Sequence, residues 1–240
     1  MTHDDNRSGS SSALIVLSGG MDSTTLMAYY SALRFSLIAV TVDYGQRHRR
    51  EIDSARAIAD HYGAVHQVVD LSGLGGLLPG SALTDDTMTV PDGHYAEASM
   101  RATVVPNRNA ILANVAVAVG VAHRVGVVAL GMHSGDHFVY PDCRPAFVTA
   151  LCKLVTVANE GFPTPRVEVP FMTWTKAEVA AHGARLSAPL SLSWSCYKGG
   201  DQHCGTCGTC YERREAFHEA GVPDPTHYLD GVTQFAHPAR

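Results

Sequence analysis

The sequence predicts an α/β fold: a Rossmann-like open parallel sheet with helices on both faces, plus a small C-terminal metal-binding region. Three observations carry that expectation. Short apolar runs alternate with helix-patterned segments from residue 13 to residue 170. Residues able to do chemistry follow those runs, and open parallel sheets bind ligands at the carboxyl ends of their strands. Four of the six cysteines fall between residues 196 and 210.

Each element has its own justification. "ALIVL" (13–17) is a continuous apolar run, as a strand buried on both faces should be. A helix is expected from Ser23 to about Leu33, and "SLIAVTV" (36–42) forms a second strand. "RREIDSARAIADHYG" places Ile52, Ala55, Ile58 and Ala59 at helical spacing, and Gly63 ends it as a C-cap glycine. "AVHQVVD" (64–70) is the third strand. A helix from about Asn107 leads into the fourth, "GVVALG" (126–131), and a helix over 144–160 leads into the fifth, "RVEVP" (166–170). Residues 71–99 break this rhythm with Gly, Pro, Asp and Thr, and a loop of that length reads as a lid.

Composition narrows the class. Hydrophobic residues make up 45% of the chain, enough for a sizeable core. The net charge of −5 argues against a phosphate-backbone binder, which needs a basic surface. The first dozen residues are polar and read as a disordered leader, not a signal peptide. The most apolar stretch, 110–122, is too short to span a bilayer and stops at His123 and Arg124. A soluble, cytoplasmic protein is expected, in which clustered cysteines bind metal rather than form disulfides.

The first motif is "SGGMDS" (18–23), placed between the first strand and its helix. Gly19 and Gly20 let the backbone approach a ligand closely. The helix N-terminus offers unpaired N–H groups to an anion, and Ser18, Ser23 and Thr24 add hydroxyls. Asp22 is out of place beside phosphate unless magnesium lies between them. The loop lacks the Gly-Lys-Ser/Thr ending of the Walker motif and the G-x-G-x-x-G of dinucleotide sites.

The second motif holds Cys196, Cys204, Cys207 and Cys210 at C-x7-C-x2-C-x2-C spacing. Four thiolates satisfy tetrahedral zinc and leave the site closed, hence structural. An iron–sulfur cluster is the competing reading, but the ferredoxin Cys-Pro is missing. A redox dithiol is a third. Cys152 reads as a core residue, whereas Cys143, in "YPDC", reads either as a site residue or as a small buried side chain. His133 and His137 stand four apart, but the intervening "SGD" suggests a loop rather than a metal pair.

"SGGMDS" resembles the loop of the PP-loop ATP pyrophosphatases, with the adenine nucleotide alpha hydrolase-like fold. Taken with "DYGQRHRRE", "VPNRN", "GMHSGDHFVYPDC", "WTKAEV" and "HCGTCGTCYERREAF", the chain resembles the 7-cyano-7-deazaguanine synthase (QueC) family over almost its whole length. The resemblance implies an ATP-dependent ligase that turns 7-carboxy-7-deazaguanine and ammonia into the nitrile, through adenylated acid and amide. It implies ATP contacts from Leu17, Ser18, Gly19, Gly20, Met21, Asp22, Ser23 and Thr24, with Asp43, Tyr44 and Gln46 near the adenosine. Arg108, Asn109, His133, Tyr140 and Asp142 become the candidates for holding the substrate. Asp22, Ser23, Arg108, Asp136 and Asp142 become the catalytic candidates, with Asp136, Asp142 and His133 as possible bases. It also implies one structural zinc per chain, magnesium with the ATP, a homodimer, and no direct nucleic-acid binding. The expected organisation is a leader (1–12), an ATP-binding domain (13–190) and a zinc-binding region with tail (191–240). Alternatives that share the loop are an enzyme adenylating a tRNA base, of the thiolase or lysidine-synthetase type, and a relative using another amine. A non-catalytic module that binds zinc and nucleotide is a further alternative.

Overall fold

The computed structural model describes residues 11–94, 100–133, 135, 139–229 and 231–232. Five parallel strands form one sheet: β1 (Ser12–Val16), β2 (Ser36–Asp43), β3 (Val65–Asp70), β4 (Val127–Ala129) and β5 (Arg166–Glu168). Their spatial order is β3-β2-β1-β4-β5. The chain runs outward from β1 to β3, then returns to the other side of β1. The switch point therefore lies between β1 and β4, where the loops leave in opposite directions and open a crevice.

Helices α1 (Met21–Ala32), α2 (Arg50–His61), α3 (Arg108–Ala122), α4 (Pro145–Ala158), α5 (Lys176–Arg185) and α6 (Gly208–Glu219) follow in order. Alternation along β1 sorts them into two layers. Ala13 and Ile15 face α1, α2 and α5, meeting Leu26, Met27, Ile58 and Val179. Leu14 faces the other way, towards α3 and α4, with Ala113, Val117, Leu151 and Val155. Each fully buried Leu or Ile contributes roughly 1.5–3 kcal/mol, so β1, with Ala13, Leu14 and Ile15 all at 0% exposure, anchors both layers. Ile52, Ala55, Ile58 and Ala59 form the buried stripe of α2, and Gly63 beyond it has φ +60°, as expected for a C-cap glycine.

The differences from expectation have physical reasons. β1 begins at Ser12, one residue inside the expected leader, because Ser12 pairs with Ser36. β4 and β5 are shorter than the apolar runs suggested, since Leu130 already belongs to the loop entering the crevice. α5 and α6 were not assigned from the sequence; α5 starts on a capping box between Thr175 and Glu178. The described part of the expected lid, 71–94, does not cover the crevice. Ser81, Ala82, Leu83 and Val90 are buried, and Arg47 holds the segment through the carbonyls of Ala82, Asp86 and Met88. Its far end joins the cysteine region, where Asp92 bridges to Cys207. No described helix is long and apolar enough to cross a membrane.

Candidate functional site

The crevice at the switch point gathers side chains from eight places in the chain. The loop after β1 forms its floor. Gly19 has φ +88°, and a Cβ there would sit 2.0 Å from the Glu51 carbonyl oxygen. Glycine is thus required twice over, by the left-handed backbone and by the close pass of α2. Gly20 caps α1 without a side-chain bond, which leaves the first N–H groups of the helix facing the cleft. The hydroxyls of Ser18 and Ser23 lie 3.1 Å apart at the cleft surface. The Ser23 hydroxyl donates to the Gly20 carbonyl at 3.1 Å, and Thr24, fully buried, donates to the same carbonyl at 2.8 Å and shapes the loop from below.

Asp22 faces a charged cluster. Its Oδ2 lies 3.6 Å from Lys176 Nζ and 3.7 Å from His133 Nε2. Lys176 also bonds Glu212 at 2.7 Å. His133 Nδ1 accepts from the Gly135 N–H at 3.1 Å, which leaves the ring proton on Nε2, turned to Asp22. The other oxygen, Asp22 Oδ1, is buried with no hydrogen-bond partner among the described residues. A buried carboxylate oxygen left open beside a phosphate loop is the kind of ligand a hard dication takes.

The opposite wall is aromatic and cationic. Arg108, the first residue of α3, lies over the Tyr140 ring at 5.9 Å. Tyr44 and Tyr197 line the same wall. Burial pushes the Tyr44 phenol up to about 12, so it stays protonated. Asn109 donates from Nδ2 to Cys143 Sγ at 3.0 Å, and both line the cleft.

Several expected site residues stand elsewhere. Leu17 is core, packed under the sheet. Asp43 accepts from the Gly45 N–H and pairs with Arg49 at 2.5 Å. Gln46, 1% exposed, bonds the Tyr44 N–H and Glu51, so it braces the turn that presents Tyr44. Asp142 is turned to Asn109, whose backbone N–H donates to it at 2.8 Å; it caps α3 rather than lining the cleft. Asp136 and His137 lie outside the described residues. The sequence reading missed Glu51, Lys176, Trp194, Tyr197, Thr209 and Glu212, all in the cleft wall. "DYGQRHRRE", "WTKAEV" and "HCGTCGTCYERREAF" contain four of them, but no local pattern announced which side chains would face inward.

The cysteine region forms the remaining wall. The sulfurs of Cys196, Cys204, Cys207 and Cys210 all lie within 4.8 Å of one another. Zinc with 2.3 Å bonds would set four thiolates about 3.8 Å apart, so the residues fit an ion. The Cys204 sulfur accepts from the backbone N–H groups of Thr206 (3.4 Å) and Cys207 (3.2 Å). Hydrogen bonds with Cys196, Cys207 and Cys210 hold the Cys204 thiol far below its usual range, and the same set pushes Cys210 far above it. Such a cluster cannot ionise fully on its own; a dication would allow it. Beside it, burial holds the His203 imidazole down to about 4, so it is neutral and its Nε2 accepts from the Ser195 N–H.

A doubly wound parallel sheet, a Ser-Gly-Gly-Met-Asp-Ser loop at its switch point and a four-thiol cluster beside it define a PP-loop nucleotide-dependent enzyme of the ATP pyrophosphatase class. The family described as "Queuosine biosynthesis protein QueC" matches residues 12–221, and the chain belongs to it. The chain is 51% identical over 218 residues to the 7-cyano-7-deazaguanine synthase of Brucella anthropi, covering 90% of this chain and 93% of that one. It is 50% identical over 217 residues to the enzyme of that name from Rhizobium johnstonii, covering 90% and 92%. Among solved structures, the U34-tRNA thiolase NcsA from Methanococcus maripaludis is similar at 17% identity and a TM-score of 0.46, covering 87% of this chain and 72% of that one.

Proposed function

We propose that this chain makes 7-cyano-7-deazaguanine from 7-carboxy-7-deazaguanine, ammonia and ATP. The observation that carries the reading is a phosphate loop facing a guanidinium and a tyrosine wall across one cleft, in a chain of this family. The open N–H groups at the start of α1 and the Ser18 and Ser23 hydroxyls suit the β and γ phosphates, which turns the α-phosphorus towards Arg108. Arg108 and Asn109 would hold the substrate carboxylate, and Tyr44, Tyr140 and Tyr197 would flank its planar ring.

The chemistry follows from the oxidation level. A carboxylate oxygen attacks the α-phosphorus and pyrophosphate leaves, giving the acyl-adenylate. Ammonia attacks the acyl carbon and AMP leaves with the oxygen, giving the amide. The amide oxygen then attacks a second ATP; loss of AMP and of both N–H protons leaves the nitrile. Both substrate oxygens thus depart on AMP, so each nitrile requires two activations. Donors already aimed at the pyrophosphate stabilise its developing charge without reorganisation. Asp142 is engaged by Asn109, and the His133 Nδ1 lone pair by the Gly135 N–H, which leaves Asp136 as the base candidate.

Asp22 would hold magnesium through its open oxygen; when bound, the ion neutralises phosphate charge. The four cysteines would hold one zinc per chain, with a structural part because no position stays open. We further propose a cytoplasmic homodimer acting on small molecules rather than RNA. Free cysteines support a reducing compartment. Exposed Leu154, Val157 and Phe162, on and just beyond α4, support a second copy, and the net charge of −5 disfavours RNA. The test is an assay of purified protein with the acid, ATP and ammonium. Nitrile together with two pyrophosphates per turnover is expected. Pyrophosphate without nitrile would point to another amine, and neither product would overturn the assignment.

A further inference from the structure

One short segment touches both chemical centres. Residues 193–197 leave α5 by way of a 3-10 turn (Leu190–Leu192) and enter the cysteine cluster at Cys196. On the way, the Trp194 backbone N–H donates to the Gly19 carbonyl at 2.8 Å. That carbonyl shares a peptide plane with the Gly20 N–H, and in a trans peptide the two point in opposite directions. Anchoring the Gly19 oxygen on Trp194 therefore aims the Gly20 N–H, at the start of α1, away from Trp194. There it donates to Ser18 Oγ at 3.3 Å, so the anchor fixes the turn of the phosphate loop and its hydroxyl.

The same residue is tied to the cluster. The Trp194 indole Nε1–H donates to the Cys196 carbonyl at 2.8 Å. Its ring packs on His203 with centroids 4.2 Å apart, one residue before Cys204. Ser195 is held from both sides, its N–H on His203 Nε2 (3.1 Å) and its carbonyl on Thr209 Oγ1 (2.8 Å). Thr209 Oγ1 is also 3.5 Å from Cys207 Sγ, so one hydroxyl spans a cluster thiol and the strap. Trp194, Ser193 and Thr209 are buried. Arg213, fully buried, fixes the strap's start through Ser193 Oγ (2.7 Å), Ser195 Oγ (3.2 Å) and the Leu190 carbonyl (3.0 Å).

We propose that the four-cysteine centre and the phosphate loop are coupled through this strap, with Trp194 and Thr209 as positioning residues. An ion on the thiols orders the strap, and the strap orders the loop. Binding couplings are reciprocal, so nucleotide in the cleft holds the metal in place and metal loss loosens the nucleotide. The inference rests on the ATP-binding reading above, and its test separates the two.

Full-length, metal-loaded protein is challenged with a chromogenic chelator, with and without magnesium and a non-hydrolysable ATP analogue. At equilibrium the analogue should raise the chelator concentration that removes half of the metal by about fivefold or more, the lower end of measured couplings. Thr209→Val keeps all four thiols and should lose most of that protection, whereas Thr209→Ser should retain it. Trp194→Phe keeps the backbone donor to Gly19 and loses the indole bond; protection should fall part of the way. Calorimetry on the same samples reports whether the analogue binds. Binding of the analogue with unchanged metal affinity would overturn the coupling and leave the ATP reading intact. Absent binding would overturn both.

Discussion

The phosphate loop and the cysteine region meet in one cleft but are held together by different physics. The loop rests on β1 and α1, whose apolar residues are buried in both layers of the sheet, so the framework that carries it follows from the sheet itself. The cysteine region has little apolar core of its own. Its buried cluster is Ala82, Val90, Trp194 and three of the cysteines, with polar neighbours around them. Hydrophobic burial fixes the first region; the second rests on a few hydrogen bonds around four thiols close enough together to take an ion. We therefore expect a site half preformed by the fold and half conditional on a metal.

The largest expected effect tests the conditional half. Cys210→Ser removes one of the four ligands, and structural zinc sites of this kind contribute on the order of 10 kcal/mol to local folding. Metal analysis should show the ion lost, near-ultraviolet dichroism should show Trp194 released, and nitrile synthesis should fall by at least about a hundredfold. Far-ultraviolet dichroism should keep most of its helix signal. A variant that kept full activity without metal would end the contrast between the regions.

The preformed half is tested next. Gly19→Ala places a Cβ against the Glu51 carbonyl at a residue with φ +88°. We expect a loss of about 2–4 kcal/mol in stability, from strain plus the displaced helix start, and a steep fall in kcat/KM. Urea unfolding with steady-state assays checks it; an unaltered urea midpoint would show that the loop is softer than the sheet beneath it.

Asp22→Asn separates chemistry from folding. Among the described residues the carboxylate has one open oxygen and two loose ion-pair contacts, so stability should move by less than about 1 kcal/mol. Pyrophosphate release should drop by about a hundredfold, as for other groups that stabilise transition-state charge. An equal loss in stability and rate would make Asp22 a structural residue instead.

The smallest effect is expected at Gln46. It supports the Tyr44 turn from inside, so Gln46→Ala should cost about 1–2 kcal/mol for the unpaired Tyr44 N–H and Glu51. The KM for ATP should change only severalfold. A large rise in that KM, with stability intact, would place Gln46 against the nucleotide after all.

What was legible in the sequence divides along the same line. The sheet was legible because β1 and β2 are continuous apolar runs and α2 carries a clean stripe. The loop was legible because backbone binding demands glycines at fixed places. The cysteines were legible by spacing. Lys176, Glu212, Trp194 and Tyr197 were not assigned, because they reach the cleft through the packing of α5, α6 and the strap, which no local pattern encodes. Asp43, Gln46 and Asp142 looked like ligand contacts because polar residues after strands often are. In the structure their side chains meet backbone N–H groups that would otherwise be left unpaired.

The bond from Trp194 to Gly19 also joins an early part of the chain to a late one. During synthesis the glycine loop leaves the ribosome long before the residue that orients it. The loop's backbone contact to Trp194 can therefore close only once residue 194 has been made.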